Sequence, residues 1–110
     1  MKKNILIILL SLILFNLNHV VVSAKNFYFD DGKKLFDKKN YKDSKFYFEK
    51  DIVFNPKNEE AIYLLTLLKI KNSNFSKAKE LISTLNLVCK KKCSSKIELQ
   101  AKLDSSLKSE

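Results

Sequence analysis

The chain has 110 residues, of which 21 are basic and 12 acidic, and its formal net charge is +9. With 45% hydrophobic residues, one Gly and one Pro, the composition excludes a collagen-like or low-complexity chain and fits one small, mainly helical domain. All 21 basic residues are lysines, so the planar guanidinium group that favours base-edge recognition is absent from the sequence. We therefore expect no sequence-specific binding of nucleic acid.

Residues 1–24 carry the three parts of a secretory signal. Two lysines follow the first residue, residues 5–15 are mostly apolar, and Val22-Ser23-Ala24 places small or slim side chains where a signal peptidase cleaves. The apolar run is shorter than the roughly twenty residues that span a bilayer. The pattern predicts a signal peptide that is cleaved after Ala24. An uncleaved N-terminal membrane anchor and a buried core helix are the two alternatives.

Cleavage after Ala24 removes His19, which is the only histidine of the chain. Without histidine, the mature chain has no Ser/His/Asp or Cys/His nucleophile system and no ordinary histidine-based zinc site. We expect no catalysis, no cofactor and no metal. The signal and the abundance of Lys, Asn, Ile, Phe and Tyr favour an exported bacterial protein, periplasmic or secreted. An uncleaved signal would instead anchor it in the membrane.

The rest of the chain is similar to itself when one copy is shifted so that Tyr28 falls on Ile62. At this constant offset the aligned pairs share aromatic, apolar or small character: Tyr28 with Ile62, Phe29 with Tyr63, Tyr41 with Phe75, Ser44 with Ala78 and Phe48 with Ile82. Apolar residues recur at spacings of three and four, which indicates helices. We expect helices at about residues 26–38, 41–54, 59–71, 75–87 and 95–107.

Helix boundaries are indicated by residues that cap helix ends. Asn40, Asn58 and Asn74 stand where an N-cap side chain would accept backbone N–H groups, and Glu59 places an anion in the first turn after Asn58. Pro56 ends the helix before it. Near the C-terminus, Ser95 and Glu98 have the spacing of a capping box. The last helix that follows would place Ile97 and Ala101 on its apolar side, with Leu99, Leu103 and Leu107 as further candidates.

The residues of the first unit resemble a known repeat. The pattern Tyr28-x-x-Asp31-Gly32-x-x-Leu35, followed by Ser44-x-x-x-Phe48 and then by Pro56, resembles the tetratricopeptide repeat. The resemblance implies an all-α fold, a short α-solenoid of antiparallel helix hairpins after the signal peptide. The first repeat would cover residues 25–58 and the second would cover residues 59–88, followed by a Cys-flanked loop at 89–94 and a capping helix and tail at 95–110. The alternative is a generic antiparallel helix bundle.

Small residues indicate where the helices of each pair cross. Gly32, Ser44 and Ala78 can admit larger side chains from the facing helix. Three residues depart from the repeat pattern: Asp31 stands where Leu is usual, Asp51 stands where a small residue is usual, and Thr66 replaces the glycine of the second unit. These departures predict a looser first helix pair.

Two cysteines, Cys89 and Cys93, flank three lysines. In an exported chain this spacing favours a disulfide, and because a continuous helix would hold the two side chains too far apart, it also predicts a helix break between them. Free thiols and redox chemistry are the alternatives, whereas haem attachment is excluded because Ser94 follows the pair. Lys90–Lys92 form either a solvated loop or a patch for an anion.

The resemblance also implies a function. Tetratricopeptide-like arrays hold a peptide or helix of another protein in a concave groove lined by the first helix of each pair. The candidate contacts in this groove are Phe29, Lys33, Phe36, Asp37, Tyr63, Leu67, Ile70 and Lys71. Their aromatic and cationic character suits an acidic or amphipathic segment of an envelope protein. For the apolar members, the alternative is a place in the core.

Two further expectations concern partners. Because about three repeats usually make a stable array, the chain is expected to self-associate or to join a larger envelope assembly. The alternative function is that of a lysine-rich cationic protein that binds an anionic envelope polymer or a membrane surface, with direct membrane contact through the signal only if it is uncleaved.

Overall fold

The computed structural model describes residues 2–109, and for residues 12–26 it describes the backbone and no side chains. The cleavage junction predicted at Val22–Ala24 lies outside the described side chains. The described residues are all-α, as the composition predicts. The helices are α1 (Lys2–Asp37), α2 (Tyr41–Phe54), α3 (Glu59–Lys71), α4 (Phe75–Val88) and α5 (Ser95–Lys108).

The bounds predicted for α2 to α5 are confirmed to within one residue, whereas the predicted start of the first helix near residue 26 is wrong. Helix α1 begins at Lys2. The sequence offers no reason for a helix break before residue 26, because neither Gly nor Pro occurs before Gly32. None of the described helices has both the length and the apolar character needed to cross a bilayer.

The turns within the two hairpins form the same backbone hydrogen bonds at equivalent positions of the two units. In the first turn, the N–H of Lys39 donates to Phe36 and that of Asn40 to Leu35. In the second turn, the N–H of Ser73 donates to Ile70 and that of Asn74 to Lys69. Both turns place a non-glycine residue at positive φ: 63° at Lys39 and 59° at Ser73. The α1–α2 and α3–α4 connections therefore have the same local conformation.

Helices α1 and α2 cross at Gly32. A Cβ atom at this position would lie 2.9 Å from the ring of Phe48, so the helices approach closely only because the side chain is absent. The hydroxyl of buried Ser44 donates to the carbonyl oxygen of Gly32 over 3.0 Å. The ring contacts of Phe36 with Tyr41 and of Phe48 with Phe29 show that the two helices run antiparallel. The prediction of a loose first pair is wrong at this crossing.

The core is centred on α3, which packs against α2, α4 and α5. It contributes more buried residues than any other described helix. The apolar core residues are Phe48, Ala61, Ile62, Leu64, Leu65, Leu68, Ala78, Leu81, Ile82, Leu85, Leu99 and Leu103. Among them, Leu99 and Leu103 lie one turn apart on α5 and close the end of the second hairpin. This is the position that the sequence predicts for a capping helix, and it is reached through Leu99 and Leu103, not through Ile97 and Ala101.

Two of the four predicted caps are confirmed. The side chains of Asn58 and Asn74 accept hydrogen bonds from backbone N–H groups of α3 and α4, both over 3.4 Å. Asn40 occupies the N-cap position of α2, but its side chain donates to Asp43 instead. The capping box predicted at the start of α5 is wrong, because Ser94 is the N-cap and the Glu98 carboxylate is used elsewhere.

The apolar side predicted for α5 is confirmed at Leu99 and Leu103 and wrong at Ile97, Ala101 and Leu107. Ile97 is 71% exposed and Ala101 is exposed, whereas Leu99 and Leu103 are fully buried. Both pairs have the spacing of one helical turn, so the periodicity of the helix alone does not choose between them. Packing of α5 against α3 and α4 buries Leu99 and Leu103 and leaves Ile97 and Ala101 at the surface.

Buried Asp51 holds the turn between the two hairpins. Its carboxylate accepts a hydrogen bond of 2.8 Å from the side chain of Asn58 and one of 3.4 Å from that of Asn55. The side chain of Asn58 thus bonds to the end of α2 and caps the start of α3. The residue that departs from the repeat pattern at position 51 therefore fixes the path between the hairpins.

Candidate protein-binding groove

The predicted contact residues on α1 lie mainly at the α1–α2 interface. Phe29 and Phe36 are half-buried, and their ring centroids lie 5.9 Å and 6.3 Å from that of Phe48. Lys33 and Asp37 form an ion pair of 2.7 Å one turn apart on α1. The two aromatic rings thus contribute to packing, and each keeps one part in solvent.

Three of the four predicted contact residues on α3 line a groove of about 550 Å³ between α3 and α5. Leu67 and Ile70 are its half-buried apolar residues from α3, and Lys71 is exposed at the end of that helix. The groove is lined by Leu67, Ile70, Lys71, Glu98, Ala101, Lys102, Ser105 and Ser106. Three of the eight predicted residues are brought together here.

Tyr63 lies beside this groove and connects α3 to α5. Its hydroxyl donates to the Glu98 carboxylate over 2.9 Å, and the ammonium group of Lys92 lies 5.4 Å from the ring centroid. Burial raises the pKa of Tyr63 above its ordinary value, and the hydrogen bond and negative charge of Glu98 act in the same direction. The phenol is therefore neutral at physiological pH and keeps its hydrogen bond.

Tyr41 links the α1 and α3 parts of the predicted set. Its ring meets that of Phe36 edge to face with centroids 5.4 Å apart, and the ammonium group of Lys71 lies 4.6 Å from its centroid. Phe36, Tyr41 and Lys71 therefore form a continuous chain of contacts from α1 through α2 to the end of the groove. The sequence pairs Tyr41 with Phe75 as a packing residue and does not reveal this link.

Helix α5 supplies five of the eight residues that line the groove, and sequence reasoning did not predict this. Ala101, Lys102, Ser105 and Ser106 belong to a helix that was expected only to cover the end of the second hairpin. The sequence does contain a pattern that indicates this face. The four residues lie three and four positions apart and so share one side of the helix, next to the side on which Leu99 and Leu103 are buried.

The loop between α4 and α5 is fixed to the start of α3. Cys89 and Cys93 form the predicted disulfide with Cα atoms 5.2 Å apart, and the predicted helix break between them is confirmed. The Glu59 carboxylate accepts hydrogen bonds from three consecutive backbone N–H groups, those of Lys90–Lys92, with shortest distances of 2.6, 3.1 and 3.0 Å. These bonds, that of Lys92 foremost, lower the pKa of Glu59 against an opposing effect of desolvation.

The described residues of the groove form no metal-binding cluster. Across the part of the chain that the structure describes, no three His, Cys, Asp or Glu side chains are placed to hold a metal ion. No family of known proteins matches the chain, and neither curated proteins nor solved structures show significant similarity to it. The kind of ligand that the groove binds is therefore indicated only by its geometry and charge.

Proposed function

We propose that the chain is an exported, tetratricopeptide-like interaction module that binds an acidic, amphipathic segment of another protein in the groove between α3 and α5. The observation that carries the proposal is the composition of this groove. Half-buried Leu67 and Ile70 provide an apolar surface, and the lysines Lys71 and Lys102 stand at its sides. Such a surface binds shape and charge, and it contains no recognisable reactive group.

Two features of the fold support the tetratricopeptide-like assignment. The turns of the two hairpins share their hydrogen bonds at a constant offset, from Lys39 to Ser73, which matches the tetratricopeptide repeat length of about 34 residues. In a solenoid of helix pairs, α1, α3 and α5 would each be the first helix of a pair, and these helices line the concave surface of such arrays. The groove lies between two of them.

The chemistry of the groove defines the occupant. A helix or extended segment with apolar side chains on one face would bury them against Leu67, Ile70 and Ala101, and its carboxylates would approach the two lysines. Because the Glu98 carboxylate already accepts a hydrogen bond from Tyr63, it repels an acidic segment less than a free carboxylate would, and it can still accept a hydrogen bond at one end of the groove. The hydroxyls of Ser105 and Ser106 can bond the backbone of the segment.

Export is supported by the disulfide and by the signal-like sequence of residues 1–24. Disulfides persist in oxidising compartments such as the bacterial periplasm and are rare in the cytosol. The intact mass of the protein recovered from cells tests this part of the proposal. Loss of residues 1–24 is expected, and a full-length chain with two free thiols would contradict it.

Binding is tested by affinity capture from the native envelope with a charge-reversed groove. The double variant Lys71→Glu, Lys102→Glu reverses both lysines, and we expect it to lose the captured partner. The matched control Lys42→Glu, Lys79→Glu changes the net charge equally on α2 and α4, outside the groove. If both variants recover the same proteins as the wild type, the groove assignment is wrong.

Salt dependence separates groove binding from general attraction to anions. Exposed charges separated by more than about 8 Å are largely screened at physiological ionic strength, whereas apolar contacts are not. Capture through the groove should persist when salt is raised. Loss of all binding at high salt, equal in the wild type and the control variant, would favour a cationic protein that binds an anionic polymer.

A further inference from the structure

One end of the first hairpin carries exposed apolar side chains. Because α1 and α2 are antiparallel, residues 27–28 at one end lie beside residues 53–54, and the rings of Tyr28 and Phe54 stack with centroids 5.5 Å apart. Phe27 is 61% exposed, Val53 76% and Phe54 49%. We call Phe27, Tyr28, Val53 and Phe54 the aromatic tip. The rest of the described chain leaves most of this apolar surface exposed to solvent.

Lysines surround the aromatic tip. The ammonium group of Lys50 lies 5.4 Å from the centroid of Tyr28 and 4.7 Å from that of Phe46, which is itself 51% exposed. Exposed Lys57 lies in the turn that follows Phe54. The tip therefore combines apolar surface with ammonium groups at its edge.

Acidic residues also lie near the tip. Asp30 is exposed and Asp31 half-exposed just beyond Tyr28, so they match Lys50 and Lys57 in number. In contrast, Glu49 pairs with Lys69, and Asp51 is buried and bonded to two asparagine side chains. The whole chain nevertheless has a net charge of +9. An anionic surface is the complementary partner for a chain of this charge.

A second exposed apolar segment lies nearer the N-terminus of the same helix. Residues 5–10 of α1 are 52–66% exposed, and α1 runs without interruption from Lys2 to Asp37. At about 1.5 Å per residue, the end of this segment lies about 25 Å from Phe27. Both apolar surfaces therefore lie towards the same end of the first hairpin. Cleavage after Ala24 would leave the tip intact and add an α-ammonium group close to it.

We propose that the aromatic tip is a membrane-contact surface that places the first hairpin on an anionic lipid bilayer. Phe27, Val53 and Phe54 enter the boundary between headgroups and acyl chains, where Tyr28 keeps its hydroxyl in the headgroup layer. Lys50 and Lys57 reach the lipid phosphates while their methylene groups cover the apolar residues. This contact uses α1 and α2 and leaves the groove between α3 and α5 open, so it goes beyond the proposed function.

The absence of tryptophan from the sequence allows a site-specific test. In full-length Phe54→Trp and Val53→Trp variants, the new residue is the only tryptophan and reports its own surroundings. The control is Leu87→Trp, at an 83% exposed position on α4. Each variant is mixed with vesicles of phosphatidylglycerol and phosphatidylcholine whose acyl chains carry bromine, a quencher of tryptophan fluorescence.

We expect the emission of Trp at positions 53 and 54 to shift to shorter wavelength and to be quenched, while that of the Leu87→Trp control is unchanged. Exposure of Val53 makes its substitution harmless to folding, which circular dichroism checks. Equal quenching at positions 54 and 87 would show that the chain binds lipid without this orientation and would overturn the proposal. No quenching at positions 53 and 54 would also overturn it, and would leave a protein partner as the occupant.

The lysines provide a second, graded measurement. Partitioning to the anionic vesicles should weaken by about fivefold for each of Lys50→Gln and Lys57→Gln, because one ammonium group near an anionic surface contributes about that factor. Lys79→Gln on α4 is the matched control and should change the partition coefficient little. Equal effects of all three substitutions would show that only the total charge matters, which contradicts a defined contact surface.

Discussion

The two hairpins have equivalent turns but are stabilised by different side chains. In the α1–α2 hairpin, aromatic rings meet around Phe48 and the helices cross at Gly32, whereas the α3–α4 hairpin has aliphatic side chains and Thr66 at the equivalent position. Tyr28 is half-exposed, but its counterpart Ile62 is fully buried. Which residues of a hairpin are buried thus depends on the helices packed against it as well as on its own sequence.

The same contrast separates the two proposed contact surfaces of the chain. The second hairpin, covered by α5, offers a groove with an apolar surface and two lysines. The first hairpin has no such cover at its outer end, where the aromatic tip remains exposed. A partner protein and a bilayer would therefore use different helices, and substitutions in one hairpin can test each function separately.

The largest effect is expected for Phe48→Ala, which removes the ring on which the first hairpin packs. Phe48 is fully buried and contacts Phe29 and Phe36. Truncating a buried Phe costs about 3–5 kcal/mol of unfolding free energy, a large part of the stability of a small domain. Urea denaturation measures the loss. A cost below about 1 kcal/mol would show that the first hairpin does not depend on this ring.

The second-largest effect is expected from removal of the disulfide, which constrains the loop at the end of the second hairpin. Replacing Cys89 and Cys93 by Ser removes a short loop constraint and should lower the free energy of unfolding by about 2 kcal/mol. Reduction of the wild type with dithiothreitol should lower it by the same amount. An unchanged denaturation midpoint in both experiments would show that the bond contributes no stability.

The close crossing of the first hairpin predicts that the cost of Gly32→Ala depends on the residue at position 48. In the wild-type background the new Cβ atom would overlap the ring of Phe48, so we expect a loss of about 1–2 kcal/mol despite the better helix propensity of Ala. In a Phe48→Leu background only the close contact of 3.2 Å with the Cβ atom of Tyr47 remains, and the same substitution should cost less. Thermal denaturation of the four proteins measures the coupling; additive effects would refute the close contact.

The smallest effect concerns Glu59, whose carboxylate fixes the loop to the second hairpin. Because hydrogen bonds in the folded state lower its pKa, the charged form stabilises the fold at neutral pH, and this contribution disappears as the pH falls through the folded pKa. Glu59→Gln should therefore lower the melting temperature at pH 7, and the difference from the wild type should shrink as the pH falls through the folded pKa. Glu60→Gln is the neighbouring control. A pH-independent difference would contradict this role.

Much of the fold is predictable because its signals are local. Asn58 and Asn74 cap the helices that follow them, and a disulfide between residues four apart requires a helix break, so the sequence alone indicates these boundaries. The start of α1 could not be predicted in this way. A cleavage signal indicates where a peptidase acts, and it contains no residue that ends a helix.

The groove was predictable only on its α3 side. Leu67, Ile70 and Lys71 follow from the phase of the repeat offset, but the opposing wall depends on how α5 is rotated about its own axis. That rotation is decided by the burial of Leu99 and Leu103, in a helix that has apolar residues on more than one face. The bond between Tyr63 and Glu98 joins positions far apart in the sequence, and no short-range pattern indicates it.

The most direct test of binding in the groove is photocrosslinking from it in the native envelope. A benzophenone amino acid replaces Ser105, which lines the groove, or Leu87, an exposed residue of α4 outside it. We predict a discrete adduct with one partner protein from position 105 that is lost when Lys71→Glu and Lys102→Glu are introduced, and none from position 87. The same adduct from both positions, or one that survives the charge reversal, would contradict binding in the groove.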